Sequence, residues 1–270
     1  MPVQEVGGIK TWQRRDRATV LKHWLVWLLG TLLFLGCWQL ISNATRWEFA
    51  WDAPQQAAQL FDRMIPPRWS YANQLWKPLW DTINIATLGT MIGVAIALPL
   101  SFLAARNTTP HPTARAIALL IIVTSRSVNA LIWALLLVAV IGPGVLAGVI
   151  AIGLRSIGFV GKLFSEAIEE IDQSPVEAVT ATGAGPMQIL TYGIVPQVLP
   201  TFAGVSVFRW DVNIRESTVI GLVGAGGIGI SLNSSVNALQ WSQASVIFIA
   251  IFIMVFFSEW VSATVRRSII

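Results

Sequence analysis

Charge is scarce in this chain. Asp, Glu, Lys and Arg make up 12% of its 270 residues, against 54% hydrophobic residues. Mean hydropathy is positive. That balance is too apolar for a soluble domain of this length. Cysteine is almost absent: Cys37 stands alone inside an apolar run. An intramolecular disulfide and a cysteine-based metal cluster are thereby excluded. Histidine is limited to His23 and His111, which flank apolar runs without ligand-like neighbours and read as interfacial groups rather than metal ligands. No GxxxxGK[ST] occurs, so the chain has no P-loop with which to bind ATP, and neither HExxH nor GxSxG is present. The net charge of +4 is not a nucleic-acid signal, because the basic residues cluster beside apolar segments.

What the chain has in abundance is long apolar runs. Several exceed the roughly 18 residues needed to cross a bilayer. Six spans are expected, at 24–42, 78–104, 114–140, 143–165, 189–210 and 243–265. Trp241 and Trp260 bracket the last, and Trp24, Trp27, Trp76 and Trp80 sit near other ends, as an aromatic belt would. Lys10, Arg14, Arg15, Arg17 and Lys22 precede the first span, Arg106 and Arg115 follow the second, and Arg266 and Arg267 close the chain. With six spans all three groups fall on one side, which the positive-inside rule makes cytoplasmic. Residues 1–23 then read as a cytoplasmic tail, 24–77 as the first span and an outer loop, and 78–270 as the main transmembrane domain. The first apolar run is too long for a signal-peptide core and no small-x-small site follows it, so it reads as retained. Within the outer loop, Asp52 to Met64 has helical character and Pro66-Pro67 ends it, which suggests a helix lying on the surface.

A polar loop at 166–188 separates the fourth and fifth spans on the cytoplasmic side. Ser174-Pro175-Val176-Glu177 reads as an N-cap, a proline at the first helical position and a glutamate able to close a capping box. Ala178 and Ala181 continue the turn, Gly183 stops it, and Gly185-Pro186 precedes the next apolar run. On local grounds this is a short capped helix. Glu177-Ala178-Val179, Gly183 and the later Leu199-Pro200 also resemble the "EAA" loop of ABC-importer permeases, with Val179 in the position of its second alanine. The resemblance implies that Ser174, Pro175, Glu177, Ala178, Thr182 and Gly183 form a coupling helix for a cytoplasmic ATPase.

A second stretch runs from Phe208 to Ile230. Gly224 to Gly229 matches GxGxxG formally, but a dinucleotide fold needs an acidic residue about twenty positions on, and that position falls inside the last span. Close packing or a re-entrant element serves better. Ahead of it stand Arg209, Asp211, Asn213, Arg215 and Glu216, with Arg126 and Arg155 in or near earlier spans. Charges inside membranes face a cavity or a partner. Two readings stay open: Arg209–Asp211 and Arg215–Glu216 neutralise one another and lock helices, or the guanidiniums line the path of an anion, for which their planar fork is suited. The cluster followed by Gly221, Gly224, Gly226, Gly227 and Gly229 resembles permeases of phosphonate-type ABC importers from Trp80 onward.

That resemblance implies an all-α integral-membrane bundle of the type I (MetI-like) importer class. It implies import of phosphonate, phosphite or a related oxyanion through Arg126, Arg155, Arg209, Asp211, Asn213, Arg215 and Glu216, with the glycine segment lining the pore. It implies a homodimer, two ATPase subunits that bind ATP and Mg, and a periplasmic or lipoprotein solute-binding protein, all at a bacterial inner membrane with both termini cytoplasmic. No cofactor is expected in this chain. A methionine-type cargo keeps the same architecture, and a membrane enzyme acting on lipid or phosphate esters would need Asp211, Glu216 and Asp81 to act without a histidine.

Overall fold

The computed structural model describes residues 3–6, 9–12 and 17–269. These divide into two compact units, Met1–Phe61 and Asp62–Ile270. Arg14 and Arg15, counted above for the tail's charge, lie outside the described residues.

In the first unit a short antiparallel hairpin pairs β1 (Val3–Val6) with β2 (Ile9–Trp12), Val3 opposite Trp12. Helix α1 (Arg17–Ala44) follows. It ends at a corner where the Trp47 indole N–H donates to the Ser42 carbonyl at 3.2 Å and hydroxyl at 3.1 Å, with Trp38 6.1 Å from Trp47. Helix α2 (Trp47–Met64) contains Pro54 and buries no residue. It begins five residues before the Asp52 start read from sequence, since Trp47 is anchored back on Ser42.

The second unit is a helical bundle. A 3-10 turn (Trp69–Gln74) leads into α3 (Trp76–Ala104). Then come α4 (Pro112–Ser127), α5 (Ala130–Ile141), α6 (Val145–Glu169), α7 (Gln173–Ala181), α8 (Pro186–Gln188), a π-helical turn (Ile189–Ile194), α9 (Val195–Gly221), α10 (Ile228–Asn237) and α11 (Trp241–Ile269). Among the described residues five helices are long and apolar enough to cross a membrane, and the bent pair α4–α5 makes a sixth crossing if it counts as one span.

Helix α6 is the hub. Its small residues let α3 and α4 come close. A Cβ on Gly89 of α3 would stand 2.7 Å from Ile152, and one on Gly158 of α6 would stand 2.6 Å from both the Arg126 amide nitrogen and the Ile122 carbonyl oxygen. Two apolar clusters flank the middle of the bundle. One joins Ile85, Ile152, Ile220 and Ala225. The other joins Ala97, Phe164, Ile194 and Phe202 at the α7 end, where the Phe164 and Phe202 rings stack at 3.9 Å.

Two spans differ from expectation. The run 114–140 is not one straight helix: α4 and α5 meet at 87°. Val128 is extended, and the Asn129 side chain accepts from the Leu131 N–H at 3.1 Å, capping a new helix. Polar side chains here draw on backbone groups that a continuous helix would use. Ser125, one turn earlier, donates to the Leu154 carbonyl and accepts from the Gly158 N–H. The fifth span is longer than 189–210, running through Gly221. Its start widens into the π-helical turn because Pro196 has no N–H to return to the carbonyl of Tyr192.

Candidate translocation path and coupling surface

Helical spacing decides which charges meet on α9. Residues three, four and seven apart share a face, and residues one or two apart do not. Arg209, Asn213 and Glu216 therefore face α6, and Asp211 with Arg215 forms a separate pair. Arg209, 1% exposed, donates to Glu216 Oε2 at 3.0 Å and to Ser156 Oγ at 3.1 Å. Its guanidinium lies 5.1 Å from the centre of the Phe159 ring. Arg155 of α6 donates to the other oxygen, Glu216 Oε1, at 3.3 Å. It also donates to the Val128 carbonyl at 3.3 Å, a group freed by the α4–α5 break. Asn213 donates to Thr90 and Ser156, and its own Oδ1 is buried without a partner among the described residues. Arg215 donates to Asp211 at 2.7 Å, and Ser258 of α11 donates to the second Asp211 oxygen at 2.8 Å. The pairs Arg209–Asp211 and Arg215–Glu216 read from sequence are thus replaced by Arg209–Glu216–Arg155 and Arg215–Asp211.

Beside the first cluster an open groove of about 530 Å³ runs along α6, lined by Arg126, Arg155, Phe159, Lys162, Leu163 and Glu166. Lys162 and Glu166 pair at 2.9 Å. Arg126 has no carboxylate partner among the described residues. Of the arginines singled out in the sequence, Arg126 and Arg155 meet here, Arg209 reaches Glu216 from behind Phe159, and Arg215 belongs to the α9–α11 contact. Phe159 and Lys162 were missed. The signal that could have found them is their spacing from Arg155, four and seven residues along one helical face.

The glycine segment is a packed turn. Gly224, Gly226 and Gly227 adopt φ of +89°, +90° and +74°, which side chains rarely allow. A Cβ on Gly221 would stand 2.7 Å from Gly229 Cα. The Ile228 N–H donates to Thr82 Oγ1 at 2.8 Å, and the Gly224 carbonyl accepts from Gly144 at 3.0 Å. Gly221, Gly226, Gly227 and Gly229 are buried within the protomer and none lines the groove. Within the chain these glycines serve close packing. The expected short helical element follows as α10.

At the other end α7 presents Glu177, Ala178, Thr182 and Gly183 on an exposed surface. A shallow hollow of about 540 Å³ is lined there by Ala178, Val179, Thr182, Gly183, Ala184, Gln188 and Tyr192. The helix starts earlier than read from sequence. Asp172, not Ser174, is the N-cap, accepting from the Ser174 N–H at 3.0 Å and hydroxyl at 2.8 Å. Those two donors hold the Asp172 carboxyl below its ordinary pKa. Pro175 consequently sits in the first turn rather than at its first position. Gly183, at φ +77°, stops the helix as expected.

A residue overlooked in the sequence ties this helix to the bundle. The Gln197 side chain on α9 accepts from the Asp172 N–H at 3.1 Å and donates to the Asp172 carbonyl at 3.1 Å and the Gly193 carbonyl at 2.7 Å. A Cβ on Gly193 would stand 3.3 Å from Val176 Cα, so α7 rests directly on the π-helical turn. Glu169 accepts from the Arg106 N–H at 2.9 Å and lies 4.0 Å from Arg115. A lone glutamine gives no periodic or charge signal, which is why it was passed over.

Residues 97–267 match the model of the binding-protein-dependent transport system inner membrane component. The chain belongs to that family. It is therefore a multi-pass inner-membrane component of an ABC transport system, and a transport subunit rather than an enzyme. It is 41% identical over 261 residues to the phosphite transport system permease protein PtxC of Stutzerimonas stutzeri, covering 96% of this chain and 91% of that one. It is 41% identical over 216 residues to the phosphate-import permease protein PhnE of Mycolicibacterium smegmatis, covering 80% of this chain and 41% of that one. A probable D-methionine permease, MetI of Vibrio cholerae, is more distant at 27% over 163 residues, covering 56% of this chain and 71% of that one. Among solved structures, an inward-facing MetNI methionine transporter superposes with a TM-score of 0.62 at 22% identity, over 73% of this chain and 96% of that one. At that identity the likeness speaks to fold alone.

Proposed function

We propose that this chain is the permease subunit of an ABC importer that moves phosphite, phosphonate or a related phosphorus oxyanion across a bacterial inner membrane. The observation that carries the reading is the charge balance of the α6 groove and the cluster behind it. Four cations, Arg126, Arg155, Lys162 and Arg209, converge there against two carboxylates, Glu166 and Glu216. A path so lined attracts anions and gives no anchor to an uncharged cargo. Phosphite and phosphate permeases among its relatives supply the cargo class.

The remaining parts follow from the family. Two copies of the chain enclose the path. Two ATPase subunits hold ATP and Mg and dock on α7 through Glu177, Ala178, Thr182 and Gly183. A solute-binding protein delivers the anion to the opposite face. Both termini and α7 then lie on the cytoplasmic side. Closure of the ATPases pushes α7, and Gln197 passes that movement to α9, which carries Arg209 and Glu216. This chain itself holds no nucleotide or cofactor.

The test is uptake of labelled phosphite and an alkylphosphonate in cells carrying this chain with its ATPase and binding protein, beside a Glu177→Ala version. ATP-dependent uptake of either anion, lost in the variant, is expected. An assembled, hydrolysing complex that imports neither anion would discard the oxyanion cargo and redirect the search to amino acids.

A further inference from the structure

Glu216 occupies an unusual place among the charges of α9. It is a carboxylate with each oxygen held by a different guanidinium, Oε1 by Arg155 of α6 and Oε2 by Arg209 of its own helix. The two arginines differ in access. The Arg209 side chain is 2% exposed, whereas Arg155, 27% exposed, lines the groove and Glu216, bonded to it, is 23% exposed. Arg209 is fixed from behind by Ser156 and the Phe159 ring, and Arg155 by the Val128 carbonyl. The guanidiniums are therefore positioned by groups other than Glu216, and the carboxylate is the replaceable member of the cluster.

We infer that Glu216 is an internal stand-in for the transported anion: cargo entering the groove displaces its carboxylate from between Arg155 and Arg209, and the returning carboxylate expels the cargo. The inference rests on the oxyanion reading above and assigns a position within it. A phosphorus oxyanion, like a carboxylate, offers two oxygens on one central atom, so it can take over both hydrogen bonds without moving either arginine. The exchange also meets two constraints. Removing one partner of a buried ion pair is costly, and in an exchange neither guanidinium is left uncompensated in a low-dielectric setting. A carrier must also release what it binds, and a tethered competitor limits how tightly the anion is held. The arrangement discriminates by charge, because a cargo without an anionic group cannot replace the carboxylate.

The experiment is retention of labelled phosphite by the detergent-solubilised complex of this chain with its ATPase, without binding protein and without ATP. It is run for the wild type, Glu216→Gln, Glu216→Asp and the double variant Arg155→Gln/Glu216→Gln. ATP-driven phosphite import by the wild type is measured alongside. Wild type is expected to import phosphite and retain it weakly. Glu216→Gln is expected to retain it at least tenfold more tightly, to gain thermal stability when phosphite is added, and to import it more slowly. Glu216→Asp keeps the charge but is one methylene too short to bridge both arginines, and it is expected to fall between. The double variant is expected to lose the gain. If Glu216→Gln does not assemble, Glu216→Asp decides. Wild-type import together with unchanged retention in the assembled variants would overturn the exchange and leave Glu216 as a structural lock. A wild-type complex that imports no phosphorus oxyanion would overturn the cargo reading itself.

Discussion

Helices α1 and α6 are both long, apolar and able to cross a bilayer, yet they are built for opposite surroundings. In the most apolar 18-residue stretch of α1 no residue is buried within the protomer, against 61% in α6. α1 presents Trp24, Trp27, Leu28, Phe34 and Trp38 outward, and its Gly30 and Gly36 have nothing near them. α6 instead buries Ala147, Gly148, Ala151, Gly153, Ser156, Gly158 and Gly161 against its neighbours, with Arg155 and Lys162 on the groove side. Both sequences satisfy a hydropathy window. Only the residue sizes tell the bulky helix from the close-packing one. In a bilayer, where apolar surface gains little by meeting other apolar surface, close approach of small residues decides association.

That comparison can be broken by moving bulk between the two helices. Gly158→Leu places a side chain against the backbone of α4, and assembled complex extracted in detergent is expected to fall at least tenfold. Gly36→Leu in α1 is expected to leave the yield unchanged. Equal losses from the two would remove the distinction.

The charged side of α6 sharpens it. Arg126→Gln and Arg155→Gln are expected to lower ATP-dependent anion uptake roughly tenfold while the complex still assembles, whereas exchanging Trp27 of α1 for Leu is expected to change uptake less than twofold. Gln197→Leu removes two hydrogen bonds between α9 and the base of α7 and a third to the Gly193 carbonyl, each worth about 1 kcal/mol. It is expected to cut uptake about fivefold at nearly unchanged ATP hydrolysis, measured as the ratio of anion moved to ATP consumed.

The smallest effect concerns the α7 cap. The Asp172 carboxyl is held below its ordinary pKa by Ser174, so its ionised, helix-capping form is more stable in the folded chain than in the unfolded one. The stabilisation is complete above the unfolded carboxylate pKa and is lost only as pH falls through the lower folded value. Coupling is thus expected to be flat from neutral pH down to the ordinary carboxylate range. Asp172→Asn retains an accepting oxygen and should keep uptake within twofold of wild type, and Asp172→Ala should lower it further.

Much of this architecture was legible because bilayers impose coarse rules. Span length and the glycine stop at Gly183 each express one constraint acting on a few adjacent residues. The details that escaped depend on competition or on distance along the chain. Asp172 and Ser174 are both good caps, and Pro175 fits the first turn from either, so local sequence left the choice open. The partners of Arg209 and Arg215 follow from the helical repeat, which brings Glu216 to Arg209 and Asp211 to Arg215, whereas nearness in sequence suggested the reverse. The break at Val128 is marked only by polar neighbours within an apolar run. The inward packing of Gly221 to Gly229 depends on Thr82 and Val145, far away in the chain.

The two intrahelical pairs of α9 have a consequence for how the protein is made. A charged residue near the centre of an inserting helix costs about 2.5–3.5 kcal/mol, and α9 carries four such residues. Arg209–Glu216 and Arg215–Asp211 each lie within that one helix, seven and four residues apart. α9 therefore brings its own counter-charges to the bilayer and can enter as a neutral rod. Arg155, by contrast, finds its carboxylate on α9, a helix synthesised after its own. Until α9 arrives, α6 has to keep that guanidinium in contact with water or with the Val128 carbonyl, so the order of synthesis leaves α6 an unfinished partner that α9 completes.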